Sequence, residues 1–204
     1  MKKLNTLLVL ALSIALFSCG GEESAEGSTS NTSVDFKSDG TFLKDFTHKS
    51  TKVFKGGIVW NGKKTAQTME IGISNADAIE LGQWGGFSSP KNEGEAVLGF
   101  KLAGTLFDKG SEAILIKEGD VFTTGATDNV LSCNITLPDM KMAMFNGESM
   151  GAVNDYEGTA TITKMDDKVV EGTIDFKRVD GTSSITVKFS EGYTDNWTGK
   201  GFDK

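Results

Sequence analysis

The sequence predicts an all-β domain, with an antiparallel β-sandwich of about ten short strands as the main interpretation. Behind residue 33, apolar and polar residues alternate over many short segments, which is the pattern of half-buried strands. Turn-forming residues separate these segments, glycine is abundant at 25 residues, and only two prolines occur. Both a sandwich and a closed barrel bury one face of each strand, so a closed β-barrel is the alternative.

The first eighteen residues are typical of a secretion signal. Lys2 and Lys3 precede the apolar run 7–17, LLVLALSIALF. As a helix this run would be about 16 Å long, roughly half the hydrocarbon core of a bilayer. The length favours an export signal over a membrane-spanning helix. We therefore assign residues 1–18 to a signal peptide.

The end of this segment carries a lipidation motif. Leu16-Phe17-Ser18-Cys19, followed by Gly20, resembles the lipobox of bacterial lipoproteins. The resemblance implies that Cys19 receives a diacylglycerol group, that the signal is cut before it, and that Cys19 becomes the acylated N-terminus. Each buried acyl CH₂ contributes about 0.8 kcal/mol, so two or three chains would hold the protein on a membrane. The membrane is thus an expected partner.

Residues 19–33 follow as a lipidated, acidic tether. The stretch 20–26, GGEESAE, is similar to the signal by which some Gram-negative bacteria send lipoproteins to the outer face of the outer membrane. The resemblance implies surface display in the outer membrane, with a plain acidic linker on a periplasm-facing protein as the alternative. Such a tether spans about 20 Å root-mean-square. Residues 34–204 have the length of a single domain.

The strand candidates follow along this domain in order. Asn61-Gly62 predicts a type I′ hairpin turn between segments 58–60 and 63–65. Asp166-Asp167 and Asp180-Gly181 separate the closing segments, so residues 157–190 are predicted to form a three-stranded antiparallel meander. The alternative barrel would be calycin-like. The further alternating segments are 69–73, 98–102, 131–137, 159–165, 169–176 and 185–189.

The meander also carries a second resemblance. EGT at 157–159, EGTIDF at 171–176 and VKFSEGY at 187–193 are similar to the closing strands of small β-rich surface lipoproteins. The resemblance covers about a fifth of the chain. It implies a type of strand arrangement but no activity.

The charge balance and the cysteine count limit what the domain can do. The chain has 21 basic and 28 acidic residues and a formal net charge of −7. This balance argues against nucleic-acid binding, which requires a basic patch. With Cys19 lipidated, Cys133 has no disulfide partner, and its apolar strand parity between Leu131 and Ile135 predicts core packing.

No catalytic constellation is visible in the sequence. His48 is the only histidine, and its polar neighbours predict a solvated loop position. No Gly-x-Ser-x-Gly elbow exists, and no base, nucleophile and orienting group can be assembled. We therefore expect a protein without enzymatic activity or cofactor.

The methionines are the weak metal candidates. Met140, Met142 and Met144 alternate along one predicted strand face, and thioethers select Cu(I). Core packing is the more ordinary role of such a row, and an adaptable binding surface is a further alternative.

Aromatic residues near turns are the candidate ligand contacts. Trp84 and Phe87 lie among glycines, and Tyr193 and Trp197 lie near the C-terminus. Flat rings on loops bind glycans and peptides, although a ring beside glycines can also cap the end of a core. We expect a binding or interaction module for a glycan or a protein. The alternatives are a carrier of a small apolar ligand in a barrel cavity and a copper-handling protein.

Overall fold

The computed structural model describes residues 31–38, 43, 45–60, 63–82, 86–138, 142–143, 156–179 and 181–195. This part of the chain is all-β, which confirms the predicted class. Its strands are β1 (Ser33–Ser38), β2 (Ser50–Trp60), β3 (Lys64–Ser74), β4 (Val97–Ala103), β5 (Phe107–Asp108), β6 (Val121–Thr123), β7 (Val130–Thr136), β8 (Met142–Ala143), β9 (Tyr156–Met165), β10 (Val169–Arg178) and β11 (Ser183–Asp195).

Eight of these strands form a closed barrel, in the order β2, β3, β4, β7, β6, β9, β10, β11 and back to β2. The neighbours are antiparallel except at β6–β7 and at β11–β2. Three further strands extend the ring, since β1 pairs with β11, β5 with β3 and β8 with β7. The prediction of a sandwich was therefore wrong, and the alternative, a closed barrel, is what the chain forms.

The barrel closes along β11. Residues 193–195 of this strand pair in parallel with residues 53–55 of β2, while residues 183–188 pair with β1 on the same edge. With thirteen residues, β11 is long enough to pair with β10 along one edge and with both β1 and β2 along the other. Alternation within each strand is the same in a sandwich and in a barrel. Only this pairing between distant segments separates the two folds.

The predicted hairpins are confirmed where the structure describes them. The strands β9, β10 and β11 form the antiparallel meander. At its first turn the Asp166 carboxylate accepts hydrogen bonds from the backbone N–H groups of Lys168 and Val169, at 2.9 and 2.8 Å. The strands β2 and β3 pair antiparallel as well. Their Asn61-Gly62 turn, like Asp180, lies outside the described residues.

The inward side chains of the described strands form one apolar cluster inside the barrel. At its centre the rings of Phe100 and Phe176 meet edge-to-face with centroids 5.9 Å apart. Cys133 stands opposite Phe100 in the β4–β7 register and packs against the cluster, as its parity predicts. Cys133 as a whole is partly exposed. Its thiol group is buried, and this desolvation raises the pKa of the thiol. The cluster also contains Val53, Met69, Ile71, Leu98, Leu102, Phe122, Leu131, Ile135, Ile162, Ile174, Val187 and Phe189.

Candidate functional site

The outer surface of the barrel carries a recess of about 570 Å³ where β9, β10 and β11 lie beside the end of β6. Its volume falls within the range of small-ligand sites, roughly 300–1,000 Å³. The polar side chains that line it alternate with buried residues along their strands, so they point away from the core. They belong to Thr123, Glu157, Thr159, Asp175, Lys177, Ser184 and Thr186, and Thr124, which follows β6, also lines the recess.

Strand register orders most of these side chains into a first row. Thr123 of β6 stands opposite Thr159 of β9, Thr159 opposite Asp175 of β10, and Asp175 opposite Thr186 of β11. Residues directly opposite in antiparallel strands project from the same face. Within the row, Oγ1 of Thr186 donates a hydrogen bond of 2.9 Å to Oδ1 of Asp175.

A second row runs one side-chain step along the same strands. Lys177 stands opposite Glu157 on one side and Ser184 on the other. The Lys177 Nζ and Glu157 Oε1 atoms lie 2.9 Å apart. Both side chains are more than half exposed, so this ion pair adds little to stability. The pair places two opposite charges side by side at the recess.

Gly158 explains how the sheet packs so closely beneath the recess. A Cβ at this position would lie 2.5 Å from Cδ2 of Phe176 and 2.8 Å from the carbonyl oxygen of Asp175. The absence of a side chain therefore lets the Phe176 ring lie across β9 on the inner face. The Gly158 N–H donates to Oγ1 of Thr124, 3.0 Å away, which fixes the segment after β6 against β9.

A partly buried polar cluster lies where β1 and β2 begin, on the inner side of β11. Glu191 is only 6% exposed. Its carboxylate accepts a hydrogen bond from the Thr32 hydroxyl. Nearby, Nε2 of His48 lies 2.8 Å from Oγ1 of Thr51. Sequence reasoning missed Glu191, although it continues the inward parity of Ile185, Val187 and Phe189.

His48 is half-buried in this cluster, which corrects the prediction of a solvated loop histidine. Desolvation is the largest influence and lowers the pKa of His48 below its usual value of 6.5. A hydrogen bond with the backbone of Ser50 and the charge of Glu191 oppose the shift. The neutral imidazole is therefore favoured more here than in a fully solvated histidine.

This burial makes stability depend on pH. Because the pKa of His48 is lower in the folded than in the unfolded chain, protonation favours unfolding, and the contribution is lost as pH falls through the folded pKa. We expect His48→Gln, which keeps a polar group beside Thr51, to reduce the fall in unfolding free energy between pH 7.5 and pH 5. Urea denaturation of both proteins at both pH values measures this difference. An equal fall in both would contradict it.

Buried Lys55 and half-buried Tyr193 form a polar pair at the closure of the barrel. Lys55 is 8% exposed, with its Nζ 3.0 Å from the Tyr193 hydroxyl, 4.1 Å from the centre of that ring and 3.5 Å from Asp195. The Tyr193 hydroxyl in turn donates to the carbonyl oxygen of Asp166, at 2.7 Å. These contacts hold Tyr193 at the β2–β11 junction. Its role as a ligand contact stays a prediction.

Phe87 lies against the outer face of β3 and β4, away from the recess. Its ring occupies the space above Gly72 and Gly99, since a Cβ on either residue would lie 2.7 or 3.2 Å from ring atoms. It also meets Phe54 edge-to-face at 5.5 Å. The half-buried ring covers the sheet here, and a role in ligand contact stays a prediction for it as well.

The remaining sequence candidates fall mostly outside the described residues: Cys19, Trp84, Met140, Met144 and Trp197. Met142 lies in β8, where it pairs with Thr136. Within the described ranges, no group of three or more His, Cys, Asp or Glu side chains is placed to hold a metal ion. The same ranges contain no helix with the length and apolarity needed to span a membrane.

No protein-family model, curated protein or solved structure matches this chain.

Proposed function

We propose that this protein is a lipid-anchored lipoprotein of the bacterial outer membrane that acts as a non-catalytic binding module, with the outer recess as its ligand site. The observation that carries the proposal is the recess itself. Polar side chains from β6, β9, β10 and β11 converge on a volume of about 570 Å³. A few convergent polar groups in a concave site are typical of ligand binding.

The large buried rings inside the barrel favour binding on its outside over transport in its interior. An apolar carrier needs space among its inward side chains, whereas here large rings occupy the centre. Phe100 and Phe122 are fully buried, and Phe176 is 5% exposed. The proposed ligand site therefore lies on the outer face, where the exposed side chains are hydroxyl-bearing or charged.

Only a short segment would join the proposed lipid anchor to the domain. The proposed tether ends at residue 33, where β1 begins, and the adjacent Thr32 is bonded to buried Glu191. A lipid on Cys19 would then place the barrel at a root-mean-square distance of about 20 Å from the membrane. In this position the recess would meet ligands at the surface of the envelope. The acidic residues behind Cys19 favour the outward-facing orientation.

The anchor is tested by removing the acylated thiol. We expect Cys19→Ala to abolish incorporation of radiolabelled palmitate and to move the protein from the membrane fraction to the soluble or secreted fraction. Cys133→Ala is the matched control, because Cys133 packs inside the barrel, and this variant should stay in the membrane.

The lipid anchor would be contradicted if the wild-type protein incorporated no radiolabelled palmitate and appeared in the soluble fraction. Digestion by external protease on intact cells distinguishes surface display, in which the domain is cut, from a periplasm-facing protein, which is protected.

A further inference from the structure

We propose that the recess binds a neutral oligosaccharide whose chain lies across the strands β9, β10 and β11. This inference rests on the proposed function, since it names the ligand class of the same site. Three properties of the described lining support it: the spacing of its hydrogen-bonding groups, the balance of its charges and the polarity of its side chains.

The spacing fits a chain of sugar units. Neighbouring strands lie about 4.8 Å apart, which is close to the repeat of one pyranose unit in an extended oligosaccharide. The first row therefore presents one hydrogen-bonding side chain per strand, from Thr123 through Thr159 and Asp175 to Thr186. A ligand laid along this row would meet one polar group at each sugar unit. Hydroxyls both donate and accept, which suits the hydroxyls of a sugar.

The charges favour a neutral ligand. The lining contains two carboxylates and one ammonium group, and Lys177 is already paired with Glu157 at 2.9 Å. A phosphate or sulfate ligand would meet no unpaired cation among the lining residues that the structure describes. The Asp175 carboxylate remains a strong acceptor for sugar hydroxyls, because hydrogen bonds to ionised groups are stronger than those between neutral groups.

The side chains that face the recess favour a ligand with hydrogen-bonding groups over an apolar one. The apolar lining residues, Phe176 and Ile185, are 5% and 0% exposed and turn their side chains toward the core. A fatty acyl chain or an apolar peptide would find hydroxyl and charged groups instead, which it would have to desolvate without replacing their hydrogen bonds.

Isothermal titration of the full chain, purified in a detergent without a sugar headgroup, tests the inference. Cellohexaose, maltohexaose and mannohexaose serve as neutral probes, and hexagalacturonic acid serves as a charged probe of equal length. We expect at least one neutral hexasaccharide to bind. Asp175→Ala and Thr159→Val should each weaken that binding by about tenfold or more, the effect of losing one strong hydrogen bond.

Thr163→Val is the matched control, because Thr163 is an exposed threonine of the same strand that does not line the recess. It should leave the affinity unchanged, and thermal unfolding should show all three variants folded. Thr186→Val replaces either recess variant if that variant unfolds.

The failures separate the two proposals. Stronger binding of hexagalacturonic acid, weakened by the recess variants, would overturn the ligand class and keep the recess as a binding site. Neutral binding that survives both recess variants would overturn the recess as the site. Absence of binding by every neutral hexasaccharide at millimolar concentration would overturn the inference.

Discussion

Replacing Phe100 with alanine should lower the free energy of unfolding by about 3–5 kcal/mol, the usual cost of deleting a buried ring. Phe100 is fully buried, and its ring meets that of Phe176 at the centre of the barrel. The substitution would leave a cavity that the closed sheet cannot easily collapse to fill, because its strands are fixed by pairing on both sides. Urea denaturation at neutral pH, followed by circular dichroism, measures the change.

Val121→Ala provides the control for this experiment. Val121 also lies in the sheet, but it is 49% exposed, so its truncation should change stability by less than about 0.5 kcal/mol. If Phe100→Ala cost as little as this control, the interior would not be close-packed. That result would restore the apolar carrier as the better hypothesis.

Gly172→Ala should destabilise the barrel by about 3 kcal/mol, because the added methyl group has no space. A Cβ at Gly172 would lie 2.4 Å from the carbonyl oxygen of Thr161 and 2.6 Å from Cζ of Phe189. The first contact is with the backbone of β9, which cannot move without breaking its pairing. The β9–β10 register also shifts between Glu171 and Gly172, so the close approach belongs to a local irregularity of the sheet.

Gly192→Ala is the matched glycine control on the neighbouring strand β11. A Cβ there would meet only the carbonyl oxygen of Lys168, at an ordinary distance of 3.7 Å. We expect its stability to stay within about 0.5 kcal/mol of the original protein. Equal losses in the two variants would show that glycine flexibility, rather than the contact with Thr161 and Phe189, sets the effect.

The local part of the fold could be predicted from the sequence, whereas its closure could not. Alternation and turn residues predict the β9–β10–β11 meander, because adjacent strands with short connections pair with each other. The pairing of Tyr193 with Val53 has no such local signal. The position of Phe87 could not be predicted either, because it depends on Gly72 and Gly99 lying opposite each other in the sheet.

The recess was not predictable for a related reason. Thr159, Asp175 and Thr186 each occupy an outward strand position, where a polar residue is expected and carries no functional signal. They become a row only through the register of three strands. Glu191 differs, because a carboxylate on the parity of Ile185 and Phe189 is visible in the sequence and marks a buried polar group.

The parallel contact between β11 and β2 joins segments that are distant along the chain, so the barrel cannot close until β11 is in place. Until residues 193–195 are in place, β2 lacks its partner on one edge, and the sheet remains open. Proteins dominated by such long-range pairing fold in milliseconds to seconds, far slower than those built from local contacts. During this interval an open edge can pair with another chain. Rapid pairing of β11 with β2 would shorten the time for which this edge is open to other strands.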